Sequence, residues 1–220
     1  MVVGVFITFE GPDGSGKTTQ IELLARRLRA ACHDVILTRE PGGTSIGDQI
    51  RAVLHDVGNV AMTAETEFLL YSASRAQLVR EVIRPQLQRG GSVVSDRFAD
   101  SSVAYQGYGR QLDLEWVRRI TQFATEGLSP DLTIYLDLPV ETGIERKQAA
   151  FAAQRGESNR LDRQTMDFYR RVRQGYLALA EMEPHRWLVI DATQSIDDIQ
   201  QIIWQRVCQV LPEIRKGERE

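Results

Sequence analysis

The segment "FEGPDGSGKTT" (9–19) sets Gly11, Gly14 and Gly16 between an apolar run and an apolar-periodic one. Glycine loses more backbone freedom on folding than any other residue, so such a cluster belongs where the main chain must turn or be approached closely. "GPDGSGKT" (11–18) fits G-x-x-x-x-G-K-[ST] in full. Val2–Phe9 before it is rich in β-branched and aromatic residues, and Ile21, Leu24, Ala25 and Leu28 after it repeat at helical spacing. Between a strand and a helix, this motif turns consecutive backbone N–H groups inward around a polyphosphate, and the helix adds its free N–H groups and positive dipole end. Gly11, Pro12, Asp13, Gly14, Ser15, Gly16, Lys17, Thr18 and Thr19 are thus the expected nucleoside triphosphate cradle. Lys17 is expected to reach the β- and γ-phosphates, and the Thr18 hydroxyl to ligate Mg²⁺.

Further strands are predicted at "DVILT" (34–38), "SVVSD" (92–96), "DLTIYLDL" (131–138) and "RWLVIDA" (186–192). Helices are predicted at 45–54, from "AETEF" through "QLQRG" up to Gly90 and Gly91, at 114–125, 140–154, 161–182 and 195–211. Ser195 and Asp198 stand at capping-box spacing. Five apolar strands alternating with helices imply an α/β fold: a five-stranded parallel sheet covered by helices on both faces.

Composition narrows the partners. A net charge of -3 lacks the basic excess of a non-specific nucleic-acid binder. No apolar run approaches ~18 residues, so no membrane span is expected, and the apolar start reads as a strand rather than a signal peptide. Cys32 and Cys208 make no C-x-x-C pair, so a reducing, cytoplasmic setting is expected. The only D-x-x-G lies inside the phosphate loop and N-K-x-D is absent, which argues against a GTPase switch. His33, His55 and His185 make no metal-ligand spacing.

Three more constellations point to phosphoryl transfer between small molecules. In "SDRFADSSVAYQGYGR" (95–110), Asp96 ends a strand where open α/β sheets place ligands, and is the candidate to hold Mg²⁺ directly or through water. Arg97 beside it suits phosphoryl oxygens. Arg39 and Arg75 are expected to converge on a second phosphate, and Tyr71, four residues before Arg75, shares its helix face; the alternative is a core Tyr71 and a solvated Arg75. Arg146, Arg155 and Arg160, around the polar "QRGESNR" loop, are expected to stabilise transition-state charge when a lid over about 146–162 closes; the alternative is a solvated turn.

"FEGPDGSGKTTQ", "TREPGGT", "SASR", "SDRFADSSVAYQG", "PDLTIYLD" and "IDATQ", in this order, resemble the thymidylate kinases over nearly the whole chain. The resemblance implies one P-loop kinase domain (1–220), with acceptor-binding regions near 39–75 and 96–110, transferring the γ-phosphoryl group of ATP to dTMP to give dTDP for dTTP synthesis. It implies that Asp13 meets the acceptor sugar 3′-hydroxyl, Arg39 and Arg97 its phosphate, Tyr71 and Arg75 its base, and Tyr105 the sugar 2′-position. Gln106 takes the place of a thymine-facing polar residue, and Ser101 joins the acceptor site. Gly14 stands where some members carry a basic residue; Arg155 and Arg160 fit the bacterial pattern that supplies lid arginines instead. Homodimers through helices along one side are common in the family. A kinase of another nucleoside monophosphate or a deoxynucleoside, or a nucleotide-binding regulator without turnover, are the competing readings.

Overall fold

The computed structural model describes residues 4–153 and 160–211. Strands β1 (Phe6–Glu10), β2 (Val35–Arg39), β3 (Ser92–Asp96), β4 (Leu132–Asp137) and β5 (Trp187–Asp191) form one parallel sheet in the order β2-β3-β1-β4-β5. The first strand was expected over Val2–Phe9; it begins at Phe6, and residues 1–3 lie outside the described residues. Every residue of β1 is buried, and its side chains alternate. Ile7 and Phe9 join a core layer with Leu24, Leu28 and Ile203, contributed by α1 (Lys17–Ala30) and α9 (Ile196–Val210), while Phe6 joins Leu78, Ile83 and Phe98 on the other face. Register sets the chemistry: Phe9 pairs with Asp96, and Asp96 with Arg39, so the phosphate loop, Asp96 and Arg39 share one edge of the sheet.

The connections are helical. They are α2 (Ser45–His55), α3 (Ala64–Leu78), α4 (Arg84–Gln88), α5 (Ala99–Ser102), α6 (Leu114–Thr125), α7 (Val140–Ala152) and α8 (Met166–Met182). Thr44, Thr63, Asp113, Thr165 and Ser195 cap α2, α3, α6, α8 and α9 with side-chain oxygens, as the capping preference requires.

Two expectations need correction. The single helix predicted from Ala64 to Gly90 contains a π-helical stretch, Val79–Ile83, between α3 and α4. Pro85, which follows it, has no N–H for an i→i−4 bond and its ring crowds the preceding turn, so the ladder widens there. The helix predicted from 161 starts at Met166, because Thr165 accepts the Phe168 N–H and a 3₁₀ turn, Arg160–Arg163, precedes it. A second π-helical stretch, Val103–Gly109, continues α5 and packs heavily on α8. Its Tyr108 covers Gly175, where a Cβ would stand 2.8 Å from the ring.

At β5, Arg186 donates to both Asp100 oxygens, at 2.7 and 3.1 Å, and to the Thr133 hydroxyl at 2.6 Å, with both charged side chains 9% exposed. Removing one member of a buried pair strands the other charge. Arg186→Met is expected to lower unfolding free energy by about 3–5 kcal/mol, measured by urea denaturation; a loss below ~1 kcal/mol would show that water reaches Asp100 readily.

Candidate active site

The carboxyl edge of the sheet opens onto a cavity of about 1090 Å³, walled by the phosphate loop, the ends of β2 and β3, the π-helical stretch 103–109, and helices α2, α3, α7 and α8. Gly16 sits at φ 90 as the N-cap of α1, and no side chain caps this end. The first N–H groups of α1 are thus left for an anion. Lys17, 7% exposed, donates from Nζ to the Gly11 and Pro12 carbonyls, both at 3.0 Å, folding the loop over its own side chain. Burial and the Arg97 charge pull its pKa below the ordinary lysine value, against Asp96, Asp13 and Glu10. Thr18 and Asp96 line the same floor, and Asp96 Oδ1 is buried without a hydrogen-bond partner among the described residues.

Arg97 stands opposite the loop. It is a non-glycine residue at φ 71, held there by its N–H on the Phe9 carbonyl at 2.9 Å and by the Ser95 hydroxyl on its own carbonyl at 2.7 Å. Backbone strain of this kind persists only where the surroundings fix it. The guanidinium donates to Asp13 Oδ1 at 3.2 Å and to the Tyr176 hydroxyl at 3.3 Å, and lies 5.1 Å from the Tyr105 ring centre. Lys147 donates to Asp13 Oδ2 at 2.6 Å and to Asp162. Burial pushes the Asp13 carboxyl up, but Arg97, Lys17 and Lys147 outweigh it and hold the group well below the usual aspartate range. One carboxylate therefore ties the phosphate loop to cations from β3 and α7.

Behind Arg97, Glu10 is fully buried. Its oxygens accept from the Phe98 N–H at 2.9 Å, the Ser101 hydroxyl at 2.6 Å and the Tyr176 hydroxyl at 2.7 Å. Burial pushes its pKa up from 4.5 to about 7, against the nearby Arg97.

This geometry gives a phosphate cradle facing a second cationic group across one cleft. Residues 9–203 match the family model described as thymidylate kinase. The chain belongs to the thymidylate kinase family. The thymidylate kinase of Deinococcus radiodurans is 54% identical over 207 residues, covering 94% of this chain and 98% of that one. That of Roseiflexus castenholzii is 53% identical over 203 residues, 89% of each chain. The solved thymidylate kinase from Ehrlichia chaffeensis superposes with a TM-score of 0.75 at 32% identity, over 93% of this chain and 98% of that one. The chain is an ATP-dependent nucleoside monophosphate kinase, a phosphotransferase.

Within this thymidylate kinase, Pro12, Asp13, Gly14, Gly16, Lys17, Thr18, Thr19, Arg39, Tyr71, Asp96, Arg97, Ser101, Tyr105, Gln106 and Arg146 all line the cavity. Gly11 supports Lys17 from behind, and the Ser15 hydroxyl is buried beside it. Gly14, at φ 81, has the Gly143 carbonyl of α7 where a Cβ would stand, at 2.9 Å. A basic residue is therefore excluded here, and Arg146 brings its charge instead, donating to the Gly14 carbonyl at 3.5 Å and that of Ala192 at 3.1 Å.

Arg75 and Arg160 do not line the cavity as the sequence led us to expect. Arg75, 1% exposed, is neither solvated nor free: it donates twice to Glu40 Oε2, at 2.8 and 2.6 Å, and to Ser102 and the Phe98 carbonyl. A buried guanidinium takes the nearest carboxylate, and β2 supplies one immediately after Arg39. Arg160 turns away from the phosphate loop to Glu67 and the Leu54 carbonyl. Arg155 lies outside the described residues. Glu10, Glu40, Glu67 and Lys147 escaped the sequence reading. Glu10 and Glu67 show only as charges beside apolar runs, Glu40 only as the residue after Arg39, and Lys147 only as the residue after Arg146.

Glu10 makes a pH prediction. Its folded pKa of about 7 lies above the unfolded 4.5, so the fold favours the protonated form. Its ionisation costs nothing below about 4.5 and destabilises progressively as pH rises to about 7, by on the order of 3 kcal/mol. Glu10→Gln is expected to remove this slope, its stability gaining on the parent between those limits in urea unfolding at a series of pH values. A parent–variant difference independent of pH would refute the shift.

Proposed function

We propose that Lys17, Arg97 and Arg39 hold the phosphates of ATP and dTMP in line across this cavity, with Arg146 and Lys147 over the transferred group. As a thymidylate kinase, the protein phosphorylates dTMP to dTDP with ATP, a step of dTTP synthesis. The observation that carries the residue roles is the 3.2 Å contact between Arg97 and Asp13, which brings an acceptor-side guanidinium against the phosphate loop. Two phosphates meeting these groups stand end to end, as in-line transfer needs. The acceptor phosphate oxygen is the nucleophile and is largely anionic near neutral pH, so no strong general base is required. Asp13, held ionised by its three cations, accepts from the sugar 3′-hydroxyl; Tyr105 crowds the 2′-position beside Ser101. The base lies between Tyr71 and Gln106.

Mg²⁺ fits this floor. The partnerless Asp96 Oδ1 is an acceptor that a hydrated cation satisfies, and the Thr18 hydroxyl opens α1 beside it. The described residues contain no cluster of three or more His, Cys, Asp or Glu, which suits an ion held mainly by phosphate oxygens and water. Thr18 and Asp96 would hold it, and bound there it neutralises charge on the β- and γ-phosphates.

We take residues 1–220 as one kinase domain. The lid expected over about 146–162 is described only at its ends, in α7 and the 160–163 turn. We assign the enzyme to the cytoplasm, where its nucleotides are made and where Cys32, exposed as a thiol, stays reduced. Among the described residues no helix is long and apolar enough to cross a membrane. We also assign a homodimer: Trp116 and Phe123, seven residues apart on α6, are 63% and 85% exposed, and Leu69 of the adjoining α3 is 53% exposed. Such an apolar strip is stable in water when covered by a second copy.

The decisive assay offers ATP, Mg²⁺ and dTMP, dUMP, TMP or dCMP in parallel. Preferential dTDP formation is expected, with Lys17→Ala and Arg97→Ala each lowering kcat/KM for dTMP roughly 10²- to 10³-fold at unchanged circular dichroism. An Arg97→Ala enzyme within threefold of the parent would remove Arg97 from the reaction. Leu69→Asp with Phe123→Asp is expected to halve the mass seen by analytical ultracentrifugation; a parent already monomeric would overturn the dimer.

A further inference from the structure

Glu67, on α3, is fully buried beneath the acceptor wall and gathers donors from three directions. Its Oε1 accepts from Gln106 Nε2 at 2.9 Å and Arg110 Nε at 3.2 Å. Its Oε2 accepts from Arg110 Nη2 at 2.8 Å and from Arg160 Nη2. Burial pushes the Glu67 pKa up, but hydrogen bonds from Arg110, Gln106 and Arg160 outweigh it and hold the group ionised, below the usual glutamate value. An ionised carboxylate only accepts. The side chain of Gln106 must therefore turn its NH₂ toward Glu67, which settles an orientation that an amide alone leaves open. Gln106 lines the cavity, and its Oε1 takes no hydrogen bond among the described residues and is not sealed from solvent.

We propose that Glu67 is a positioning residue that fixes Gln106 with its carbonyl oxygen toward the acceptor's base, so that the site selects a pyrimidine carrying an N–H at position 3. This rests on the base lying against Gln106, as set out above. Thymine and uracil offer a donor at N3; cytosine offers an acceptor there, and two acceptors face to face leave both unpaired. A site built to hydrogen-bond one edge rejects the mismatched edge strongly. Arg110 and Arg160 take part in the same device: both guanidiniums donate to Oε2, and Gln106 shares Oε1 with the longer Arg110 Nε contact.

The same geometry fixes what Glu67→Gln does. Two guanidinium donors meet at the Oε2 position and demand an acceptor there, so the new amide oxygen takes it; the NH₂ then takes the Oε1 position, losing the longer Arg110 Nε bond and facing Gln106. Gln106 must then accept with its oxygen and present NH₂ to the cavity, the reverse polarity. The experiment compares kcat/KM for dTMP and dCMP, with ATP and Mg²⁺, in the parent, Glu67→Gln, Glu67→Asp and Gln106→Ala. Glu67→Gln is expected to lower the dTMP/dCMP ratio at least ~10-fold, with an absolute gain on dCMP. A purely structural loss would slow both acceptors alike and leave the ratio in place, which would overturn the proposal. Should Glu67→Gln not fold, Glu67→Asp decides: it retains the charge for Arg110 and Arg160 but draws the carboxylate back from Gln106. A several-fold fall in the ratio supports the positioning role, and an unchanged ratio overturns it. Gln106→Ala separates the two levels. A ratio unaffected by it means that the base does not meet Gln106, and the underlying reading fails; a ratio moved by it but by neither Glu67 variant defeats the Glu67 role alone.

Discussion

Glu10 ends β1 with no exposure, and donors from two other parts of the chain close on its carboxylate: the Phe98 N–H and Ser101 hydroxyl from beyond β3, and the Tyr176 hydroxyl from α8. Desolvating a carboxylate is costly, and these donors offset only part of that cost, which leaves its pKa raised to about 7. The geometry that satisfies Glu10 also fixes the start of the phosphate loop at Gly11 and the strained backbone at Arg97. The cradle and the guanidinium opposite it thus meet at one buried carboxyl group. Arg97, 4.0 Å from Glu10 Oε2, completes the set, so the cation that faces Asp13 is aimed from behind as well as from in front.

The cavity wall repeats this construction. Glu40 with Arg75, Glu67 with Arg110 and Arg160, and Asp137 with Arg173 each put a carboxylate against guanidiniums beneath or beside the lining. Replacing such pairs with well-packed apolar groups is often neutral or stabilising, so stability does not explain them. Their effect is directional. A guanidinium in bidentate contact admits one arrangement, as at Asp137, where Arg173 donates to both oxygens at 2.7 Å. Lining residues such as Gln106 inherit that fixed direction, which a hydrophobic wall would not give.

The sheet and its helices were legible because their signals are local. Strand three was read at its observed limits, as was α6, since apolar runs, caps and glycine stops act within a few residues. The phosphate loop was legible for the same reason. The partners of Arg75 and Arg160 were not. Each pairing spans a long stretch of chain, from Glu40 to Arg75 and from Glu67 to Arg160, and no local pattern states which of many carboxylates lies nearest. Glu67 carried a faint signal: with Phe68, Ser74, Arg75 and Leu78 it lies on the buried face of α3, where polar residues must find partners inside the protein.

The π-helical stretch at Val103–Gly109 was equally hidden, and it matters to the wall. Its i→i+5 bonding turns successive residues through a smaller angle than an α-helix does. Neighbours Tyr105 and Gln106 thereby both line the cavity, while Tyr108 covers Gly175 and Val103 and Ala104 enter the core with Phe168 and Tyr176. An α-helix of this sequence would carry Gln106 further around, away from Tyr105. The wider turn has few intrinsic advantages, and its stability here comes from packing on α8. The face that α8 offers this stretch therefore sets the spacing of two side chains that line the cavity. A bulky residue at Gly175 would push on Tyr108 and so disturb this cavity wall without touching it.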